Sequence, residues 1–260
     1  MIDSHCHFDL PAFDNKREKI LKNAYTLGVE KLLVPGLTLT QFSQLIDLKR
    51  SHISIDIALG CHPYFLTLLT DNELARQTLL MADLASQHCA LIVAVGECGI
   101  DGSLKIPMAF QEKVLTQHIR IAKAFNKPLI LHHRQSHNAL IRILKQEKFD
   151  GGGVVHAFSG SYQIAQTYID MGLSLGVGGT ITYDRAIKTR NTIKAVGMEH
   201  ILLETDAPDM PLFGFQGMPN TPERLPLIAS ALAQLKGISL NEVEQCTTAN
   251  YKRIFSLEAK

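Results

Sequence analysis

The stretch IDSHCHFD, residues 2–9, sets two histidines two positions apart directly behind a short apolar start. In a β-strand, residues i and i+2 share a face. Asp3, His5 and His7 are therefore expected to project together, with Ser4 and Cys6 on the other side. Two neutral imidazoles on one face form half of a metal site, since histidine is the commonest protein metal ligand. A polar loop with two unrelated histidines reads the same way, so partners elsewhere in the chain must decide.

Outward from this strand, short β-type runs alternate with longer helical patterns to the end of the chain. The runs are IDSHCH (2–7), KLLVPG (31–36), ISIDIALG (53–60), LIVAVGE (91–97), PLILHH (128–133), GVVHAF (153–158), LSLGVGG (173–179) and HILLETD (200–206). Several are almost continuously apolar, as parallel strands covered by helices are. Between them, Thr38–Gln41 and Thr70–Glu73 fit the capping box. Thr221-Pro222 sets a capping hydroxyl before a first-turn proline. A helix near 222–235 and one or two short ones from the Ser239-x-x-Glu242 box follow the last strand. Eight βα units in a chain of 260 residues predict a single-domain α/β fold, a (β/α)8 TIM-like barrel over residues 1–260. The competitor is a doubly wound open sheet. The glycine-rich nucleotide-binding signatures of such sheets are absent.

Composition narrows the class. The chain is 46% apolar and 20% charged with a net charge of +1, so no overall field draws it to nucleic acid or to an anionic membrane. Five cysteines without a C-x-x-C argue against a disulfide framework or a thiolate zinc site. No run reaches membrane-spanning length. The first strand begins at residue 2, with no room for a signal sequence. A cytoplasmic enzyme is expected, and a monomer.

In a barrel, chemistry sits at the C-terminal strand ends. Those ends carry His5 and His7, Gly60-Cys61-His62-Pro63, Gly96-Glu97, His132-His133-Arg134, His156 and Glu204-Thr205-Asp206. Alternation turns Cys6, Cys61, Cys98 and His133 away from the ligand side. Free cysteines so placed read as small core residues. Glu204 shares a face with Asp206 and is expected to orient ligands. His52, His88, His118, His137 and His200 read as surface or ordinary polar residues. Six candidates remain: His5, His7, Glu97, His132, His156 and Asp206. They exceed what one tetrahedral zinc with an open position needs. They suit two divalent ions sharing a bridging carboxylate. Nitrogen and carboxylate donors favour zinc or manganese over calcium.

Taken in order, IDSHCHFD, GCHP (60–63), VAVGECGID (93–101), PLILHHR (128–134), VVHAFSG (154–160) and LLETDAP (202–208) resemble the TatD-type metal-dependent hydrolases of the amidohydrolase superfamily, over essentially the whole chain. The resemblance implies that His5, His7 and Asp206 hold one ion and His132 and His156 the other, with Glu97 bridging and zinc, manganese or magnesium as the ion. It implies that His62 and Arg134 contact substrate phosphate. The activity it implies is metal-dependent hydrolysis of DNA phosphodiesters, chiefly from the 3′ end. Glu97 and Asp206 are then catalytic as well as ligating, with Asp206 carrying the proton.

Two stretches depart from the family pattern. GFQGMPN (214–220) has Gln216 where an arginine is usual, which removes a cation from the substrate mouth. GGTITYDRAIKTRN (178–191) carries Arg185, Lys188 and Arg190, which read better as a solvated helix face than as a backbone track. Arg134 has a bland reading of its own, as a surface salt bridge. An amide or ester hydrolase on a small substrate remains open, as does an inactive metal-binding scaffold.

Overall fold

The computed structural model describes residues 1–255; residues 256–260, the end of the expected domain, lie outside the described residues. Eight strands form one sheet in which each pairs in parallel with the next in sequence. They are β1 (Ile2–Asp3), β2 (Lys31–Val34), β3 (Ile55–Leu59), β4 (Ile92–Asp101), β5 (Leu129–Arg134), β6 (Gly153–Val155), β7 (Leu173–Val177) and β8 (Ile201–Leu203). Just past β1 and β8 the sheet closes on itself. Ser4 N–H donates to Leu203 O at 2.9 Å, Asp206 N–H to His5 O at 2.9 Å and His7 N–H to Ala207 O at 2.8 Å. This is the expected TIM-like barrel.

Helices follow the strands: α1 (Arg17–Thr26), α2 (Phe42–Ser51), α3 (Asp71–Gln87), α4 (Met108–Ala124), α5 (His137–Gln146), α6 (Tyr162–Asp170), α7 (Ile187–Ala195) and α8 (Leu225–Lys236), with α9 (Leu240–Phe255) added at the end. No described helix is long and apolar enough to cross a membrane. The inner core gathers Ile2, Leu33, Ala58, Val93, Ala94, Ile130, Val154 and Leu202, and Tyr251 and Phe255 of α9 plug it from below. A larger outer core packs the opposite strand faces on the helices. The apolar plug fills one end of the barrel, which leaves the C-terminal strand ends to carry polar groups.

Several boundaries differ from the sequence reading. The ladders of β1, β6 and β8 stop at Asp3, Val155 and Leu203, short of His7, Phe158 and Asp206. The side chains there are held by isolated backbone bonds and by loops. The capping box at Thr70 forms in full. At Thr38 it does not, because a 3-10 turn intervenes and Thr38 Oγ1 lies 3.0 Å from Thr40 Oγ1. A 3-10 turn at Pro222–Arg224 likewise separates Thr221 from α8. The short helices expected after residue 239 are one helix of 16 residues.

His118, read from sequence as an ordinary polar residue, is buried on α4. Its Nε2 accepts from Cys61 N–H at 3.0 Å and its Nδ1 lies 2.8 Å from Val114 O, which fixes a neutral ring. Burial pushes its pKa down to about 4, against the Val114 carbonyl, which favours the charged form. The folded value lies below the unfolded one near 6.5. His118 therefore contributes its full stability above about pH 6.5 and loses it as pH falls toward 4, by on the order of 3 kcal/mol. In metal-free protein, His118→Asn is expected to flatten the fall of the urea midpoint between pH 6.5 and 4. Equal pH slopes in the two proteins would contradict this.

Candidate metal centre

Alternation carries the inner-core faces of three strands straight into the site. Ile130 is followed on its face by His132, Val154 by His156, and Leu202 by Glu204 and Asp206. On β4 the register with β5 shifts between Val95 and Cys98, one extra residue on the β4 side, and the bulge includes Glu97. The first strand behaves differently from expectation. Asp3 does not join His5 and His7: its Oδ1 accepts from Thr205 N–H at 2.9 Å and its Oδ2 from the Thr205 hydroxyl at 2.6 Å. The β1 ladder has ended, so the period-two rule no longer spans residues 3 to 7. Asp3 instead staples the first strand to the last.

Glu97 sits fully buried at the centre, and its two oxygens face two groups of donors. Oε2 lies 3.0 Å from His5 Nε2 and 3.5 Å from His7 Nε2. Oε1 lies 3.0 Å from His132 Nδ1, 3.1 Å from His156 Nε2 and 3.2 Å from His62 Nε2. Asp206 Oδ1 lies 3.5 Å from both His5 Nε2 and His7 Nε2, which are 3.3 Å from each other. Donors 2.0–2.1 Å from one ion stand roughly 2.9–3.4 Å apart. Most of these separations fall in or just beyond that range. Glu97 Oε2, the oxygen that faces His5 and His7, is buried without a hydrogen-bond partner. The donor set thus fits divalent metal, and all six ligand candidates are brought together.

The electrostatics fit a site built around positive charge. Burial holds the His5, His7 and His132 imidazoles below the usual histidine range. Burial also opposes charge on His156, but Glu97 and Asp206 outweigh it and hold that ring well above the usual range. Burial works against the Glu97 carboxylate too, yet the surrounding imidazoles keep it well below its ordinary pKa. Burial pushes Asp206 up, more than His156 draws it down. Of these rings, His156 is the one held charged, between Glu97 and Asp206.

Supporting groups complete the centre. Glu204 is fully buried; its Oε1 accepts from Ala157 N–H and lies 3.7 Å from His156 Nδ1. Its other oxygen packs against Gly176, where a Cβ would come within 2.1 Å of it. The glycine makes room for this carboxylate beside His156. Ala157 and Asp206 both adopt left-handed backbone, with φ of 46° and 56°. Such conformations are uncommon outside glycine and cluster where function constrains the chain. Asp101 was not singled out from the sequence, although it stands four residues beyond Glu97 on β4. Its Oδ1 accepts from Ser103 N–H and Oγ–H at 2.9 and 2.6 Å, and its Oδ2 faces His132 Nε2 at 3.3 Å. It thereby orients a ligand ring from behind. His133 turns away, as expected, and stacks on His137 at 4.2 Å.

A cavity of about 490 Å³ opens over the cluster. His62, Tyr64, Phe65, Asp101, Arg134 and Asp209 share its walls with the candidate ligand residues. His62 is nearer the donors than a purely substrate-facing role requires, 3.1 Å from His132 Nδ1. Arg134 is exposed at the cavity wall and makes no ion pair among the described residues, so the surface salt bridge is not formed. Arg185 lies over the Tyr183 ring at 5.0 Å, and Arg190 donates to Ile181 O; neither lines this cavity. Gln216 accepts from Gly214 N–H within its own loop.

The chain is similar to known proteins over nearly its whole length. Residues 2–256 match the model of the family described as TatD related DNase. The uncharacterized metal-dependent hydrolase YjjV of Escherichia coli K12 is 38% identical over 257 residues, 98% of each chain, and an uncharacterized metal-dependent hydrolase of Haemophilus influenzae is 33% identical over 98% of each. The crystal structure of YjjV superposes with a TM-score of 0.93, covering 99% of this chain and 98% of that one. A hydrolase TatD family protein from Entamoeba histolytica, 20% identical, shares the fold with a TM-score of 0.86 over 98% of both chains. A buried carboxylate ringed by imidazoles at the mouth of an eightfold barrel, matched along nearly its whole length, is carried by a chain that belongs to the TatD-related DNase family of metal-dependent hydrolases.

Proposed function

We propose that this chain is a monomeric, cytoplasmic deoxyribonuclease that uses two divalent ions to hydrolyse phosphodiesters at DNA ends, in the 3′-to-5′ direction. The observation that carries this reading is the unpaired Arg134 on the wall of the cavity that the ligand cluster floors. A neutral amide needs no such cation, whereas a phosphate oxygen takes a charge-assisted bond from guanidinium, often in bidentate form.

His5, His7 and Asp206 would hold one ion, and His132 and His156 the other, with Glu97 shared by both. Divalent metal supplies Lewis acidity and lowers the pKa of water toward neutrality. Asp206 takes the proton of the attacking water and returns it to the leaving oxygen. Arg134 holds a non-bridging oxygen, and His62 donates to a second one. Glu204 and Asp101 keep His156 and His132 in register.

A second reading, hydrolysis of a small amide or ester, draws on the acidic lining, since Asp101 and Asp209 share the cavity with one arginine. Metal-reconstituted protein assayed on end-labelled single-stranded DNA, duplex DNA, RNA and a panel of amides and esters separates the two. DNA is expected to shorten stepwise from its 3′ end. Arg134→Ala is expected to lower kcat/KM on DNA by about 10- to 100-fold, the worth of a hydrogen bond to a charged group. Turnover of amides alone, insensitive to Arg134→Ala, would replace the nuclease reading.

A further inference from the structure

The proposed function leaves unexplained two exposed aromatic rings at the cavity wall. Tyr64 and Phe65 lie on a 3-10 turn, Pro63–Phe65, and are 66% and 43% exposed. This turn is pinned from the site itself. His62 Nδ1 accepts from Tyr64 N–H at 3.0 Å, His62 O accepts from Phe65 N–H at 3.0 Å, and His62 Nε2 lies 3.2 Å from Glu97 Oε1. The turn that carries the rings is therefore fixed relative to the reacting centre. Their centroids are 5.2 Å apart and their planes meet at 78°, so one ring offers a face where the other offers an edge. Such a corner takes a flat ring.

Charge points the same way. Arg134 is the one arginine or lysine lining the cavity among the described residues, while Asp101 and Asp209 line it with the ligand carboxylates. A strand backbone tracked over several phosphates needs a row of cations. This site provides one side-chain cation beside the candidate metal ligands, enough for one phosphate and not for a row of them, so contact that carries no charge would add to its affinity. Stacking on aromatic side chains is such a contact, and it tolerates any base because every base has a π face. A cavity of about 490 Å³ also suits a ligand of nucleotide size.

We infer that Tyr64 and Phe65 form the base platform of the site, so that the enzyme grips one nucleotide unit, its phosphate at Arg134 and its base at the aromatic corner. This inference rests on the phosphodiesterase reading for its phosphate but is tested apart from turnover. Titration calorimetry on the metal-loaded protein compares deoxyadenosine 5′-monophosphate with 2-deoxyribose 5-phosphate. The nucleotide is expected to bind about 5- to 150-fold more tightly, the range for one stacked base. Tyr64→Ala and Phe65→Ala are expected to bring that ratio toward one. Tyr64→Phe should restore most of it, whereas Phe65→Leu, which keeps bulk without the π face, should not. Both side chains are exposed, so the fold does not depend on them. Equal binding of the two ligands by the wild-type protein would overturn the platform, and so would binding of neither. If DNA were still cut in that case, the nuclease reading would survive alone. Base-dependent binding with no cleavage of any phosphodiester would keep the platform and remove the nuclease reading.

Discussion

Glu97→Gln is expected to lower turnover by about 10³-fold or more and to remove metal from the protein, because this one side chain serves every imidazole of the site. Its two oxygens lie within 3.0–3.5 Å of five histidine nitrogens and are shut off from solvent. Glutamine has the same shape but keeps only one acceptor, and its amide N–H groups would point at imidazoles or at cations. The substitution also removes the charge that outweighs burial at His156. Binding to the folded state alone stabilises a protein by about 4 kcal/mol at a thousand times the dissociation constant. For a chain of this size that is a rise in Tm on the order of 10 °C. Wild-type protein should show this rise on addition of zinc or manganese, and Glu97→Gln should show little of it. Metal analysis after gel filtration, melting with and without metal, and turnover check the three parts together. Full metal content with more than a tenth of wild-type turnover would remove Glu97 from the centre.

How far the sequence reveals such a site depends on how regular the backbone is between core and mouth. On β5 the period of two runs unbroken from Ile130 to His132. On β6 and β8 the ladders stop at Val155 and Leu203, yet the same faces lead from Val154 to His156 and from Leu202 to Glu204, with Asp206 beyond in left-handed backbone. On β1 the ladder ends at Asp3, so the same rule correctly groups His5 with His7 but wrongly adds Asp3, which turns to Thr205. On β4 Glu97 falls within an irregular register that no periodicity predicts; its place at the end of an apolar run marks it as a ligand candidate, and the family resemblance implies its bridging role. Asp101 lies farther along the same strand than the apolar run extends, so a strand read to residue 97 could not include it. His62 was legible as a site residue, but its proximity to the ligand nitrogens depends on how β3 and β5 approach each other, a tertiary fact. His118 shows the opposite failure. A histidine in a helix reads as an ordinary polar residue unless the backbone N–H that needs it, that of Cys61, can be seen. Along α9, Thr247 and Asn250 are polar in the sequence yet buried and hydrogen-bonded in the barrel, Thr247 to Val243 O and Asn250 to Met198 O and Ile201 O.

Asp206→Asn is expected to lower kcat by about 10²- to 10⁴-fold, the usual worth of a positioned general acid or base, while KM for DNA moves little. Asparagine tolerates the left-handed backbone at this position and keeps the N–H that bonds His5 O, so the barrel closure stays intact. Asp206 is the least enclosed carboxylate of the ligand set, its side chain 12% exposed against none for Glu97. One oxygen approaches His5 and His7, and the other is left to face the cavity. That division suits a ligand that also moves a proton. Asparagine can still offer its carbonyl oxygen to a cation, but it has no basic atom to accept the proton of the water. The leaving group separates the two roles. If Asp206 returns the proton to the leaving oxygen, a 4-nitrophenyl ester, whose phenolate leaves without protonation, should lose less on substitution than DNA does. A loss that simply tracks metal content across all substrates would make Asp206 a ligand and nothing more. An unchanged metal content with a larger loss on DNA than on the nitrophenyl ester would fix it as the group that carries the proton between water and the departing nucleotide.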